Sequence, residues 1–171
     1  MPAEESWSDL NALVRSHIGA REFAQAEPLV RRLIDITDPA ECLRLWNLFG
    51  VLAGVLAELQ RPREATEMLR RALSEARRAG QSAAVDAARY MLANHYLVHG
   101  DPRDAVSEAE RVPSGEGHIQ SLLHSVAALA HRKLGHQDEA TSSARRALDA
   151  APTEDRKRSL SEELHDILSS R

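Results

Sequence analysis

The stretch KLGHQDEATSSARRAL, residues 133–148, decides the fold. It ends one series of helically spaced apolar residues at Leu134-Gly135 and begins another within four residues. A related segment, ELQRPREATEMLRRAL, occupies residues 58–73, and a weaker one, VHGDPRDAVSEAERV, occupies residues 98–112. Three related segments in one chain indicate a helical unit that is written several times.

The composition also favours helices. The chain contains 27 alanines and 22 leucines but only 9 valines, 5 isoleucines and 4 threonines. Helix formers therefore dominate and strand formers are scarce, which predicts an all-α protein. A core of alanine and leucine predicts helices that pack close together through small side chains.

Charge and cysteine content restrict the function. The 22 basic and 26 acidic residues give a net charge of −4, which argues against a general nucleic-acid binder. Cys42 is the single cysteine, so the chain cannot form an internal disulfide, as suits the cytoplasm. The acidic start is not a secretory signal, and the longest apolar stretch, residues 45–59, is too short for a membrane span. We expect a cytoplasmic protein without a membrane partner.

Breaks in the apolar pattern divide the chain into nine predicted helices. Asp38-Pro39 and Asp101-Pro102 each provide a capping side chain followed by proline at the first helical position, and Arg61-Pro62 is a weaker copy. The predicted helices cover about residues 6–19, 22–36, 39–59, 62–79, 82–99, 102–112, 116–134, 137–150 and 153–169.

The predicted helices pair into units with constant internal spacing. Each first helix carries a residue, usually small, that lies 12 positions before an alanine of the second helix; these pairs are Val14 and Ala26, Ala53 and Ala65, Ala93 and Ala105, and Ala128 and Ala140. Seven positions further on stand Leu33, Ala72, Val112 and Ala147. Constant spacing within a unit and variable spacing between units is typical of packed helical hairpins.

This pattern resembles the tetratricopeptide repeat (TPR) family, whose period is about 34 residues. The last unit is the most similar, through Ala128, Gly135, Ala140, Ala147 and Pro152, whereas Gln60 replaces the turn glycine in the second unit. The resemblance implies a single domain over residues 1–171, folded as a right-handed α-α superhelix. Its hairpins cover about residues 6–36, 39–79, 82–112 and 116–150, and the helix at 153–169, with Leu160, Leu164, Ile167 and Leu168 on one side, caps the array.

In this family the first helix of each pair lines the concave side. The resemblance therefore implies a groove that binds a peptide or a helix of a partner protein. The residues placed in this groove are Asn11, Arg15, Gly50, Gly54, Tyr90, Asn94, Leu97, Ser125, Leu129, Arg132 and Lys133. Asparagine can bond both groups of a peptide backbone, and arginine can hold a carboxylate with two hydrogen bonds.

Two features of the groove bear on what it can bind. Gly50 and Gly54 lie on one face of a helix, so they admit either a partner segment or a closely packed neighbouring hairpin. The family's two-carboxylate clamp for chaperone tails is absent, because its positions hold Asn11, Arg15, Val51, Ala87 and Met91.

Signals for chemistry are weak. His95 and His99 are four residues apart on one helix, but no third ligand accompanies them, so we expect no metal and no cofactor. No catalytic grouping is recognisable, which argues against an enzyme. A basic stripe on one helix consists of Arg63, Arg70 and Arg77. It indicates a solvated outer face, and the alternative interpretation is a docking surface for an acidic partner or nucleic acid.

The resemblance to TPR proteins thus implies a non-catalytic adaptor or scaffold that binds a protein or peptide. A secretion-type chaperone and a regulatory or sensor subunit of a multi-protein system remain alternatives. A homo-oligomer is left open, since apolar residues at an end of the array could join two chains.

Overall fold

A computed structural model describes residues 6–111 and 117–169 of the chain. Its described residues contain ten α-helices and no strand, which confirms the prediction of an all-α fold. The helices are α1 Trp7–Gly19, α2 Phe23–Ile36, α3 Cys42–Glu58, α4 Pro62–Arg78, α5 Ser82–His99, α6 Pro102–Ala109, α7 His118–Leu134, α8 Gln137–Asp149, α9 Glu154–Glu163 and α10 His165–Ser169.

The chain forms two compact units, Met1–Gly80 (unit 1) and Gln81–Arg171 (unit 2). In unit 1, α2 packs against α1 and α3, and α3 packs most extensively against α4. In unit 2, α5, α6 and α7 contact one another, α7 packs against α8, and the two C-terminal helices contact α8. Each unit therefore consists of successive helices packed as hairpins. The assignment of the whole chain to a single domain stays a prediction.

The small residues at constant spacing lie in the interior. Ala26, Ala65, Ala105 and Ala140 have no exposed surface. The residues 12 positions earlier are also buried, with at most 3% of their surface exposed at Val14, Ala53, Ala93 and Ala128. Small side chains at these sites let paired helix backbones come close. Val112, predicted to belong to the same pattern, lies outside the described residues.

Three of the hairpins turn through a left-handed residue. Gly135 has φ +78°, and Gln60 and Arg21 occupy the same region at φ +60° and +58°. Glycine adopts this conformation without steric cost, whereas a side chain makes it unfavourable by roughly 1–2 kcal/mol. The prediction that Gln60 stands at the turn position is confirmed. Gly100 differs, since its φ is −128°.

The predicted helix starts are confirmed at two sites and wrong at one. The Asp101 side chain caps α6 by accepting from the amide of Arg103, and Pro102 is its first residue; α4 likewise begins at Pro62. The third helix begins at Cys42 rather than at residue 39. Its start is delayed because Asp38 bonds the amide of Ala40 through its side chain (2.8 Å) and that of Glu41 through its carbonyl (2.8 Å), which forms a separate turn.

The predicted C-terminal helix is two helices. The break lies at Leu164, between α9 and α10. Leu160, Leu164 and Ile167 are nonetheless fully buried, as their shared stripe predicts. Leu164 and Ile167 belong to a core cluster with four alanines of α7 and α8, against which Leu168 packs. The sixth helix ends at Ala109 rather than 112 and the seventh begins at His118 rather than 116; residues 112–116 lie outside the described range.

Candidate functional site: a cleft between α1 and α3

A cleft of about 380 Å³ lies between α1 and α3 in unit 1. The wall from α1 consists of Trp7, Asn11, Val14, Arg15 and Ile18. The wall from α3 consists of Leu43, Arg44, Asn47, Leu48 and Val51. Both sets recur at intervals of three and four residues, so each wall is one continuous face of a helix.

The cleft has an apolar floor and a polar rim. Val14 and Leu48 are buried, with 3% and 5% of their surface exposed. Arg15 and Asn47 are exposed, and Asn11 is half-buried. An apolar base with a few polar groups at its edges is the usual composition of a ligand-binding surface.

An aromatic ring is fixed at one end of the cleft. The indole Nε1 of Trp7 donates to Thr37 Oγ1 (3.2 Å), and this buried hydroxyl donates in turn to the carbonyl of Leu33 (2.6 Å). The guanidinium of Arg44 lies over the Trp7 ring, 4.7 Å from its centre, and pairs with the carboxylate of Glu41. These contacts hold one cation of the cleft in a defined position.

Among the described residues, the charged side chains that line the cleft are cationic. None of its described lining residues carries a carboxylate, whereas Arg15 and Arg44 both line it. Arg15 has no ion-pair partner among the described residues. Beyond the cleft, just after the end of α1, Arg21 pairs with Glu58 at the end of α3 (3.7 Å). The cleft therefore favours a ligand with negative charge.

The two glycines of α3 differ in their surroundings. Gly50 is buried, whereas Gly54 is exposed. A Cβ atom built on Gly54 would meet no described atom within 4 Å. Close packing by another helix therefore does not account for Gly54. This glycine continues the row of Asn47 and Val51, so the cleft opens onto bare backbone at that end.

In unit 2, the three predicted groove residues of α5 differ in exposure. Asn94 is exposed, Tyr90 is half-buried and Leu97 is buried. The carbonyl of Leu97 accepts a hydrogen bond from Lys133 Nζ (2.7 Å). Lys133 thus satisfies a carbonyl at the end of α5, which is a structural role.

The other predicted groove residues of α7 face the C-terminal helices. Ser125 is buried and its Oγ donates to Glu163 (3.2 Å), and Arg132 bonds Asp166 (3.3 Å). Leu129 packs against the core cluster that contains Leu164 and Ile167. The surface of α7 that contains Ser125 and Leu129 is therefore covered by the chain's own C-terminal helices.

Two further openings have polar linings. In unit 1, one of about 580 Å³ is bordered by Cys42 and Arg78. In unit 2, one of about 630 Å³ is bordered by His124, Arg146 and Asp149. Burial lowers the pKa of His124 below its ordinary 6.5, and Arg146 acts in the same direction, whereas Glu110 opposes the shift. The surroundings of His124 therefore disfavour its protonated form.

The two histidines singled out in the sequence contact each other through tilted rings. The rings of His95 and His99 lie 5.0 Å apart and are tilted by 40°. Within residues 6–111 and 117–169, no three His, Cys, Asp or Glu side chains come together as metal ligands would. No helix in the described parts of the chain is both long and apolar enough to cross a membrane.

Sequence reasoning found Asn11 and Arg15 in the cleft but missed Trp7, Arg44 and Asn47. A signal for them exists, because Arg44, Asn47 and Val51 recur at helical spacing on α3 and Trp7, Asn11 and Arg15 do so on α1. The alignment of the repeats predicts the face of α1 that lines the cleft but not the face of α3.

Comparisons with known proteins give a structural neighbour and no family. No family model and no curated protein matches the chain. Among solved structures, it is similar to the crystal structure of BtubC (BKLC) from P. vanneervenii, with a TM-score of 0.64 and 16% sequence identity. The match covers 84% of this chain and 61% of that structure, so this chain corresponds to part of its neighbour's length. At this identity, the likeness shows a shared fold alone.

Proposed function

We propose that this chain is a non-catalytic adaptor with TPR-like hairpins, which binds an extended segment of a partner protein in the cleft between α1 and α3. The observation that carries the proposal is the lining of that cleft. Its apolar floor is flanked by Asn11 on one wall and Asn47 on the other. Side-chain amides offer a donor and an acceptor each, and a peptide backbone requires both.

The chemistry of the lining favours binding over catalysis. The described side chains of the cleft are aliphatic, indole, amide and guanidinium groups. None of them is a nucleophile or a general base near neutral pH. A protein or peptide partner is accordingly proposed, without a cofactor, and a cytoplasmic location suits the single thiol, Cys42.

Selection from a random peptide display library on the folded protein tests the proposal. Peptides selected on the unmodified chain should lose binding to the double variant Asn11→Ala and Asn47→Ala, because both amides of the cleft are removed. Gln25→Ala is the matched control, since it removes an exposed helical amide from α2, in the same unit but outside the cleft. Circular dichroism establishes that each variant stays helical.

Loss of binding in the double variant, with binding retained in Gln25→Ala, supports the cleft as the binding surface. Failure to select any peptide, or peptides that bind the double variant unchanged, would contradict the proposal.

A further inference from the structure

We propose that the cleft selects a segment with two carboxylates four residues apart and an apolar side chain midway between them, the pattern acid-x-apolar-x-acid. This inference rests on the proposed function and specifies its ligand. It follows from the positions of Arg44, Arg15 and the apolar floor.

The spacing of the two cations sets the spacing of the acids. Arg44 lies over Trp7, and Trp7 and Arg15 are eight residues apart on α1. At a rise of 1.5 Å per residue, eight residues correspond to about 12 Å along the helix. An extended peptide advances about 3.3 Å per residue, so positions i and i+4 are about 13 Å apart. Acids at those two positions therefore match the two arginines.

The same geometry places an apolar side chain over the floor. In an extended segment, residues i, i+2 and i+4 point to the same side. When the two outer residues reach the arginines, the central residue points into the cleft, where Val14 and Leu48 form the buried base. An aliphatic residue at that position removes apolar surface from water.

The amides lie where the peptide backbone would pass. Asn11 stands one turn from Trp7 and one turn from Arg15, midway between the two cations. Asn47 faces the cleft from the other wall. Together they can bond the carbonyl and amide groups of a bound strand without regard to its side chains.

The two arginines differ in the contacts that they already make before a carboxylate binds. Arg44 is stacked on Trp7 and held by Glu41, which engages Nη1 and leaves other N–H groups of the guanidinium. Glu41 also offsets the charge of Arg44, so specificity at this end depends on geometry. Arg15 lacks an ion-pair partner among the described residues and contributes an uncompensated charge. A bound acid would pair with it directly.

Fluorescence polarisation with synthetic peptides tests this inference. The probe is a fluorescein-labelled, end-capped peptide with the core Glu-Ser-Leu-Ser-Glu, which carries no terminal carboxylate. Its comparators are Gln-Ser-Leu-Ser-Gln, Glu-Ser-Ser-Ser-Glu and the closely spaced Glu-Glu-Ser-Leu-Ser. We expect each change to weaken binding, and the loss of both acids to weaken it by about tenfold or more, because charge-assisted hydrogen bonds are removed.

Variants of the chain assign the contacts. Arg15→Ala and Arg44→Ala should each weaken binding of the probe by about tenfold. Arg44→Lys retains the charge but loses the planar group, so it should also weaken binding. Arg63→Ala is the matched control: it removes one exposed charge from α4 in the same unit and should leave the affinity within about twofold. Helicity of all variants is measured by circular dichroism.

Several outcomes would overturn the inference. They are equal binding of the glutamate and glutamine peptides, equal weakening by Arg63→Ala and Arg15→Ala, or binding of a single-stranded oligonucleotide as tight as that of the probe with the same dependence on both arginines. If library peptides bind in the cleft but show no dependence on acids, the adaptor function stands and this ligand specificity fails. If no peptide binds at all, the proposed function fails first.

Discussion

The guanidinium of Arg44 stands 4.7 Å from the centre of the Trp7 ring, which joins the start of α3 to the start of α1. The indole is itself tied to Thr37, at the end of α2, by a hydrogen bond of 3.2 Å. One side chain thus connects the N-terminal helix to the next two helices. Substitutions at Trp7 and Arg44 should therefore affect stability as well as binding.

We predict that a double-mutant cycle with Trp7→Leu and Arg44→Ala gives a coupling free energy of about 0.5–1 kcal/mol, the usual size of a partly exposed cation–π contact. Trp7→Phe keeps a ring beneath the arginine but removes the indole donor, so it should cost about 1 kcal/mol through the hydrogen bond to Thr37. Urea unfolding measures all of these values. Additive single effects would show that the stacked geometry contributes nothing.

Gly54→Ala should stabilise the protein by about 0.5–1 kcal/mol, because glycine within a helix is less favourable than alanine and the added Cβ meets no described atom. Gly135→Ala provides the opposite case. Its φ of +78° is unfavourable for any residue with a side chain, so we expect a loss of about 1 kcal/mol. Thermal unfolding followed by circular dichroism compares the two. Destabilisation by Gly54→Ala would mean that the open face is occupied.

Ala65→Leu should destabilise the protein by about 1–3 kcal/mol or more, since Ala65 has no exposed surface and the larger side chain forces α3 and α4 apart. Ala24→Leu is the control, because Ala24 lies on α2 in the same unit and is exposed. Chemical denaturation distinguishes the two variants. Equal stabilities would contradict the role of the alanines in bringing helices together.

We predict that His124 makes the free energy of unfolding depend on pH. Its pKa in the folded chain lies below the ordinary 6.5, so the unfolded chain binds a proton first as the pH falls. The contribution is therefore fully present above pH 6.5 and is lost as the pH falls through the lower folded value. We expect the unmodified protein to lose more stability between pH 7.5 and pH 5.5 than His124→Gln does.

The matched control for this pH effect is His118→Gln, which replaces an exposed histidine near the start of α7. It should lose stability on acidification as the unmodified chain does. Denaturant titrations at both pH values provide the comparison. A His124→Gln variant with the full acid sensitivity would place the effect on another group.

The sequence was sufficient to predict the hairpins, because the small residues that are buried between two paired helices recur at a constant spacing. Ala65 and Ala140 are both inaccessible, and each lies 12 residues after a buried alanine. The start of α3 at Cys42 could not be predicted in the same way. The side chain of Asp38 can either cap a helix or form a separate turn, and the tertiary structure determines which of the two occurs. The break at Leu164 likewise leaves the apolar spacing unchanged.

The second wall of the cleft was missed for a geometric reason. A repeat alignment compares equivalent faces, and the step of 39 residues from Ala26 to Ala65 maps Asn11 onto Gly50 and Arg15 onto Gly54. The cleft, however, is formed by two different faces, one on each helix. Arg44, Asn47 and Val51 face α1 and are not equivalent to the residues that α1 presents to them. A surface of this kind can be identified only when the two neighbouring hairpins are placed next to each other in space.

The left-handed turn at Gln60 has a consequence for which sequences can adopt this fold. An unfavourable residue of this kind costs roughly 1–2 kcal/mol, comparable to what a single buried leucine contributes. A hairpin turn can therefore carry a side chain at a left-handed position when burial elsewhere in the interior offsets the loss. Chains with this fold should keep short side chains at the counterparts of Ala26, Ala65, Ala105 and Ala140, even where the residues of their turns differ.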